Sequence, residues 1–244
     1  MANIVLVHGT YAGGFMWKTV AGLLRAKGHS VWTPTLTGVG ERTHLNGPGV
    51  GLYTHIKDVE NVLYYEDITD AVILGFSYGG SVLAGLGAEA VERIRTGILL
   101  DAALPEDGES MHDVYAHVDT ATLPPEVAEL HAQTERPENA PDLRVPPWAA
   151  ENPRFSPMPI ACHWDPVTLG PLFTTRPNYY IQATRWTMNT KCAERAAALG
   201  WTVWGVDSEH GVMDSDPEGL AELIDRAATE TEAGATPTGG RATA

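Results

Sequence analysis

Short apolar runs recur along the chain at intervals typical of strands that are separated by helices. The first run, Ile4–Val7, is apolar on both faces, as in a parallel strand buried between two layers. Further runs rich in β-branched or aromatic residues predict strands at Ser30–Pro34, Ala71–Gly75, Thr96–Leu100, Asn178–Gln182 and Thr202–Val206.

Helical spacing of apolar residues separates these strands. It predicts helices over Phe15–Lys27, around Ile56–Leu63 and over Thr187–Leu199. A last helix is predicted to start with Asp216 as its N-cap and Pro217 at its first position. Alternating strands and helices predict an α/β fold, with a mostly parallel central sheet and helices on both faces. Ligands of such sheets bind beyond the carboxyl ends of the strands.

Residues 103–176 interrupt this alternation with many prolines and scattered aromatic residues. The segment is too long for a plain loop in a compact domain, so it predicts an inserted cap of short helices and turns at about 103–176. Residues 1–228 then form one domain that carries this cap. The Thr-, Ala- and Gly-rich composition of residues 229–244 predicts a disordered tail.

Composition and charge exclude several partner classes. The 244 residues carry a formal net charge of −15 and no Lys/Arg cluster, which argues against nucleic acid. No basic leader begins the chain, and no apolar stretch approaches the ~20 residues that span a bilayer, so we expect a cytoplasmic protein without a membrane partner. The only cysteines, Cys162 and Cys192, lack metal-ligand spacing. We therefore expect free thiols and neither a metal nor another cofactor.

The strongest chemical signal is the segment Gly75–Gly80, with Ser77 at its centre. It follows a predicted buried strand and precedes a run of small residues, which is the strand–turn–helix context of a nucleophile elbow. A nucleophile in such a tight turn needs neighbours without bulk two residues away, and glycine at 75 and 79 meets that need. Ser77 is therefore the candidate nucleophile.

A serine nucleophile needs a base and donors for the oxyanion. His210 directly follows the last predicted strand, which is the position of the base in the order Ser, acid, His. The backbone N–H groups of Thr10, after the first strand, and Tyr78, after the nucleophile, are the natural oxyanion donors. We expect His8 to brace its loop, because His210 is the better base.

The acid is less tightly specified. Asp101 ends the strand after the nucleophile, so its side chain is expected at the catalytic edge of the sheet. Asp207 and Glu209 are sequence neighbours of His210 and would have to fold back on a short turn to reach it. Asp101 is the favoured candidate, and Asp207, Glu209 and a dyad without an acid stay open.

Several segments resemble bacterial α/β-hydrolases of the pyrethroid-hydrolase-like esterase type, which are similar to the plant methylesterase and hydroxynitrile lyase group. The resemblance covers nearly the whole chain except the cap and the tail. It implies the α/β-hydrolase fold, catalytic Ser77 and His210, and oxyanion donors at Thr10 and Tyr78. The segments that carry it are Val5–Thr10, Gly13-Gly14, Trp17, Pro34–Arg42, Gly75–Gly80, Leu100-Asp101, Pro105–Gly108 and Glu209-His210.

The chain departs from that group at two places. The plant enzymes place the acid after the strand that matches residues 178–184, where this chain continues with Arg185–Met188 and no carboxylate. Phe76 stands where many relatives carry histidine, and we expect it to pack in the core with little functional meaning.

The resulting hypothesis is a serine esterase that cleaves a carboxylic ester, lactone or thioester of a small, largely apolar substrate through an acyl-enzyme on Ser77. A hydroxynitrile lyase is disfavoured, because the resembling lyases carry threonine and lysine where this chain has Gly9 and Gly211. A repurposed pocket, such as a cyclase or ligand-binding module, stays open because the acid after residue 184 is missing. A small-molecule substrate is the expected partner, and a homodimer is left open.

Overall fold

The computed structural model describes residues 1–116 and 147–232, with positions 118, 125, 128, 142, 143 and 145 between them. Its strands are β1 (Asn3–Val7), β2 (Ser30–Trp32), β3 (Ala71–Phe76), β4 (Ile94–Leu100), β5 (Asp142–Leu143), β6 (Met158–Pro159), β7 (Asn178–Ala183) and β8 (Thr202–Val206). The main sheet has six strands in the order β2-β1-β3-β4-β7-β8, and all its pairs are parallel. The predicted parallel sheet is confirmed.

Eleven α-helices lie in the described residues. They are α1 (Lys18–Ala26), α2 (Leu52–Tyr65), α3 (Gly79–Ala84), α4 (Ala88–Glu92), α5 (Met111–Tyr115), α6 (Pro147–Ala150), α7 (Ala161–Trp164), α8 (Leu172–Thr175), α9 (Thr190–Ala198), α10 (Val212–Ser215) and α11 (Pro217–Glu232). Short 3-10 turns precede α1 and α9, at Gly14–Trp17 and Thr187–Asn189. Asp216 caps α11 as predicted, since its Oδ1 accepts from the backbone N–H of Gly219 at 3.0 Å.

Helices cover both faces of the sheet, because alternate residues of each strand point to opposite sides. Val5 and Val7 of β1 belong to a core that includes residues of α2, α3 and α9. Ile4 and Leu6 of the same strand belong to a second core that includes residues of α1 and α11. All four side chains are fully buried. The apolar runs seen in the sequence thus correspond to strands sandwiched between two layers.

The cap segment consists, in its described part, of the short helices α5 to α8 and the antiparallel pair β5–β6, a pairing that the sequence did not predict. Ser156 joins it to the loops that follow β1 and β2. Its N–H donates to the carbonyl of Tyr11 at 3.0 Å, and its Oγ accepts from the N–H of Gly40 at 2.7 Å. The second half of the cap therefore lies over the loops that follow β1 and β2.

The carboxyl-terminal boundary lies further along than expected. Helix α11 continues to Glu232, past the predicted domain end at residue 228, and Thr231 Oγ1 donates to the carbonyl of Ala227 at 2.8 Å. The remainder of the predicted tail, 233–244, lies outside the described residues.

The helices and the metal-ligating side chains of the described residues bear on membrane and metal binding. None of their helices is both long and apolar enough to cross a membrane. No group of three His, Cys, Asp or Glu side chains among them is placed to hold a metal ion. Cys162 and Cys192 are buried free thiols. Burial raises the pKa of Cys162 to about 12 and that of Cys192 to about 11.

Candidate active site

Ser77 sits in the turn between β3 and α3, at the carboxyl edge of the sheet. Its φ of 54° lies in the left-handed region, which is strained for a serine. The backbone holds this conformation, because the Ser77 carbonyl accepts from the N–H groups of Gly80 and Ala103, each at 3.1 Å. A Cβ at Gly75 would lie 2.6 Å from the carbonyl oxygen of Gly79. Glycine at 75 is therefore required by the turn.

The loop after β1 lies directly against the nucleophile candidate. A Cβ at Gly9 would lie 2.9 Å from Cβ of Ser77 and 3.0 Å from Cδ1 of Phe76. Any side chain at position 9 would displace Ser77 or the ring before it. Gly9 thus sets the close approach between the β1 loop and the elbow.

His210, in the loop after β8, is joined to Asp101, which directly follows β4. His210 Nδ1 lies 2.6 Å from Asp101 Oδ2. The Asp101 side chain is fully buried, and that of His210 is 26% exposed. A carboxylate beside Nδ1 keeps the proton on that nitrogen, so Nε2 is the free, accepting nitrogen of the neutral ring.

The imidazole contacts two aromatic rings. The ring of Phe76, the residue before Ser77, is 4.6 Å from the His210 ring, and Trp186 stacks on the imidazole at 5.0 Å and 18°. Phe76 also packs edge-to-face on Trp17, so it is a core residue as expected. It also contacts the His210 ring, and the expectation that it has little functional meaning stays a prediction.

The Ser77 hydroxyl and the imidazole are not hydrogen-bonded to each other in this conformation. Ser77 Oγ has no hydrogen-bond partner in the described part of the chain, although the ring of its neighbour Phe76 contacts His210. Catalytic hydrogen bonds of this kind often tighten only when substrate is bound.

The other two acid candidates point away from the imidazole. The side chains of Asp207 and Glu209 are 89% and 64% exposed, and they approach Arg185 Nε at 3.4 Å and 4.0 Å. Neither carboxylate contacts His210 in the described structure. Of the three carboxylates considered, only Asp101 lies at the imidazole.

Of the two residues considered for the oxyanion site, Tyr78 lies in the elbow and Thr10 lies in the loop after β1. The backbone N–H groups of Thr10 and Tyr78 have no acceptor among the described residues, so both are free to bind one. Tyr78 is fully buried, and its hydroxyl donates to Nδ1 of His55 at 2.9 Å, while His55 Nε2 donates to the carbonyl of Thr37 at 2.7 Å. Burial raises the pKa of Tyr78. The side chain of Tyr78 is thus a fixed anchor.

His8 has the bracing role expected from the sequence. Its Nε2 accepts the N–H of Leu36 at 3.0 Å, so its Nδ1 carries the proton and donates to the carbonyl of Gly9 at 2.8 Å. Burial lowers the pKa of His8 to about 4, which keeps the ring neutral. Both ring nitrogens are used, and they tie the β1 loop to the β2 loop.

Comparison with known proteins identifies the family. A family model described as the alpha/beta hydrolase family matches residues 4–223. This chain is an α/β-hydrolase. The fold of this α/β-hydrolase also matches a solved pyrethroid hydrolase from Sphingobium faniae, with a TM-score of 0.71 at 21% identity over 93% of this chain and 97% of that one. The predicted fold and the resemblance noted in the sequence are confirmed.

Two curated relatives carry esterase names. A carbendazim hydrolyzing esterase from Nocardioides sp. is 44% identical over 128 residues, which are 52% of this chain and 51% of that protein. Methylesterase 8 from Arabidopsis thaliana is 26% identical over 164 residues, or 63% of this chain and 52% of that protein. The matches thus span about half the length of these relatives.

Asn189 is a residue of this α/β-hydrolase site that sequence reasoning missed. Its Nδ2 donates to the backbone carbonyl of Asp101 at 2.8 Å and to Asp101 Oδ2 at 2.9 Å. Its Oδ1 accepts the hydroxyl of Tyr115 at 2.6 Å, and Oδ1 of Asp101 accepts the N–H of Ala183 at 3.3 Å. Every described contact of the Asp101 carboxylate is therefore with a donor. No sequence signal marks Asn189, which ends the 3-10 turn before α9.

Proposed function

We propose that this α/β-hydrolase is a serine esterase that cleaves a carboxylic ester, or a related lactone or thioester, through an acyl-enzyme on Ser77. The observation that carries the proposal is the 2.6 Å hydrogen bond between His210 and the buried Asp101, next to the strained Ser77 turn. Family membership supports the reaction class, and the names of the curated relatives support esters as substrates.

In the acylation step, Ser77 Oγ attacks the acyl carbon of the substrate and passes its proton to Nε2 of His210. The resulting imidazolium is stabilised by the carboxylate of Asp101 through Nδ1–H. The carbonyl oxygen becomes an oxyanion, which the backbone N–H groups of Thr10 and Tyr78 can bind. Collapse of the tetrahedral species breaks the ester C–O bond. His210 then gives its proton to the leaving alcohol.

Deacylation repeats these roles with water. His210 accepts a proton from water as its oxygen attacks the acyl carbon of the Ser77 ester. The second oxyanion collapses, the bond to Ser77 Oγ breaks, and His210 returns the proton to Ser77. The products are a carboxylic acid and an alcohol.

An apolar acyl or alcohol group fits the surroundings of the site. The rings of Phe76 and Trp186 border the imidazole, and Phe15 and Phe155 meet edge-to-face at 5.6 Å. Ser156, next to Phe155, is bonded to the backbone beside Thr10, so this aromatic pair lies near the β1 loop. These rings support a small, largely apolar substrate.

The alternatives of another class lose their main support. The case for a repurposed, non-hydrolytic pocket came from the missing carboxylate after β7, and the 2.6 Å contact of Asp101 with the imidazole argues against it. A hydroxynitrile lyase remains disfavoured by Gly9 and Gly211.

The proposal is tested by intact-mass measurement after treatment with a fluorophosphonate, followed by assays on aryl, methyl, lactone and thioester substrates. One adduct on the wild-type protein, mapped to Ser77, and ester hydrolysis that is lost in Ser77→Ala are the expected results. Ser81→Ala is the matched control, because Ser81 Oγ is buried without a partner in the described structure. Hydrolysis by Ser77→Ala at the wild-type rate would refute the proposal.

A further inference from the structure

His163, on the short cap helix α7, contacts both residues of the proposed oxyanion site. Its Nε2 lies 2.9 Å from Oγ1 of Thr10, and its ring stacks on Tyr78 at 5.7 Å and 14°. The His163 side chain is buried, whereas Thr10 is only half-buried. The buried His163 of the cap thus holds the side chain of the half-buried Thr10 in place.

The tautomer of His163 follows from its partners. Its Nδ1 is buried without a partner in the described structure, so a proton on Nδ1 would leave an unsatisfied N–H group. A proton on Nε2 has Thr10 Oγ1 as its acceptor. Burial, together with the nearby His112, lowers the pKa of His163 to about 3, so the ring is neutral and carries one proton. That proton is therefore on Nε2, and His163 donates to Thr10.

A hydroxyl that accepts from His163 keeps its own proton for another acceptor. In the described residues, Thr10 Oγ1 has no partner except His163. The next residue back, Gly9, lies against Ser77, since a Cβ there would be 2.9 Å from Cβ of Ser77. Thr10 thus has a free hydroxyl proton in addition to its backbone N–H, and it follows the glycine that packs against Ser77.

We propose that the hydroxyl of Thr10, oriented by His163 of the cap, is a third donor to the oxyanion, beside the backbone N–H groups of Thr10 and Tyr78. The inference rests on the proposed serine-esterase mechanism and deepens it. Thr10 acts as a catalytic residue through its side chain, and His163 acts as a positioning residue through Thr10. The hydrogen bond between them also couples the position of the cap to catalysis, because a movement of α7 would turn the Thr10 hydroxyl away from the oxyanion.

The first test compares Thr10→Val, which keeps the shape and removes the hydroxyl, with Thr10→Ser, which keeps the hydroxyl. On an ester that the wild type hydrolyses, Thr10→Val should lower kcat about 10²-fold, the loss typical of one oxyanion donor. KM should change little, because the interaction forms only as charge develops. Thr10→Ser should stay within a few-fold of wild type. A Thr10→Val enzyme with wild-type kcat, or equal losses in both variants, would overturn the inference.

The second test asks whether His163 acts through Thr10. His163→Phe keeps a ring over Tyr78 and removes the donor, whereas His163→Gln keeps an N–H near the position of Nε2. We expect a kcat loss in the Phe variant that the Gln variant partly restores. The double variant Thr10→Val/His163→Phe should be no slower than Thr10→Val, because both changes remove the same interaction. Fully additive losses would overturn the positioning role.

The two proposals fail in distinguishable ways. Fluorophosphonate labelling of Ser77 should persist in Thr10→Val, at a reduced rate. If the wild type labels at Ser77 while Thr10→Val retains full kcat, only the third donor is refuted. If Ser77→Ala hydrolyses the ester as fast as wild type, the serine mechanism is refuted and this inference with it.

Discussion

Nδ1 of His210 bonds to Asp101, so the carboxylate beside the imidazole comes from the end of β4, while the end of β7 supplies the ring of Trp186. The carboxylate oxygen lies at 2.6 Å and the stacked indole at 5.0 Å. The two neighbouring strands therefore divide the support of one imidazole. Asp101 supplies a negative charge that fixes the tautomer, and the indole of Trp186 supplies an apolar stacking surface.

This arrangement predicts that Asp101→Asn will keep the fold and lower kcat, by up to about 10⁴-fold if the template of a Ser-His-Asp triad applies fully. An amide N–H facing His210 forces the proton onto the wrong ring nitrogen. Steady-state kinetics on one ester, with circular dichroism to check folding, makes the measurement.

Asp207→Asn and Glu209→Gln are the matched controls for that experiment. Both side chains are largely exposed and face Arg185, so each variant should keep wild-type kcat. A fully active Asp101→Asn enzyme, or an inactive Asp207→Asn or Glu209→Gln enzyme, would show that the acid was assigned to the wrong residue.

Asn189→Leu should lower kcat by about tenfold or more while Ser77 remains reactive. The change removes one donor from Asp101 Oδ2 and another from its backbone carbonyl, so the carboxylate is no longer held toward His210. It also removes the Asn189 Oδ1 that accepts the hydroxyl of Tyr115 at 2.6 Å, so the free energy of unfolding should fall as well.

Tyr115→Phe separates these two effects of the Asn189 change. It removes the hydrogen bond to Asn189 but leaves both bonds from Asn189 to Asp101, so kcat should fall much less than in Asn189→Leu. Equal kcat in Asn189→Leu and wild type would mean that Asn189 does not position the acid.

Gly9→Ala tests the close approach of the β1 loop to the nucleophile. The added Cβ would lie 2.9 Å from Ser77 Cβ and 3.0 Å from the Phe76 ring. These distances are too short for a Cβ contact, so the neighbouring atoms must shift. Either Ser77 or the β1 loop moves. We expect kcat to fall at least tenfold, since small misplacements of reacting groups are costly. Gly22→Ala, where the added Cβ meets nothing, is the control. Wild-type kcat in Gly9→Ala would show that the packing there is loose.

The strands, the tight turn at Ser77 and the place of His210 after the last strand could be predicted from the sequence, because each is a local pattern. The run Ala71–Gly75 followed by Gly-x-Ser-x-Gly specifies a strand and a turn without reference to the rest of the chain. Asp101 could be favoured only from its place at the end of a strand. The choice between it and the carboxylates beside His210 needed the strand order, in which β4 neighbours both β3 and β7.

Other features of the site depend on contacts between distant segments. Asn189 is 88 positions from Asp101, and His163 is 153 positions from Thr10. Neither carries a motif, and an asparagine in a turn or a histidine in a cap has many ordinary uses. The strained φ of 40° at Asp101 is likewise a result of its tertiary contacts.

Buried neutral histidines predict a loss of stability in acid. Burial lowers the pKa of His8 to about 4 and that of His163 to about 3, against 6.5 for an ordinary histidine. Between pH 6.5 and about 4 the unfolded chain binds protons that the folded protein does not. The free energy of unfolding therefore decreases as the pH is lowered. Each histidine contributes about 1.4 kcal/mol per pH unit to this slope.

Urea unfolding of wild type and His163→Phe at several pH values measures that contribution. The variant should have a shallower slope by about one proton between pH 6 and 4. The exposed His44, replaced by Phe, should leave the slope unchanged. Parallel curves for wild type and His163→Phe would show that His163 is not buried in its neutral form.

A covalent intermediate on Ser77 is tested most directly by rapid-quench intact mass spectrometry during turnover of a p-nitrophenyl ester. We expect a burst of nitrophenol equal to the enzyme concentration and a mass increase equal to the acyl group, mapped to the peptide that contains Ser77. Ser77→Ala should show neither. An acyl group mapped to another residue, or undiminished hydrolysis of the ester by Ser77→Ala, would contradict it.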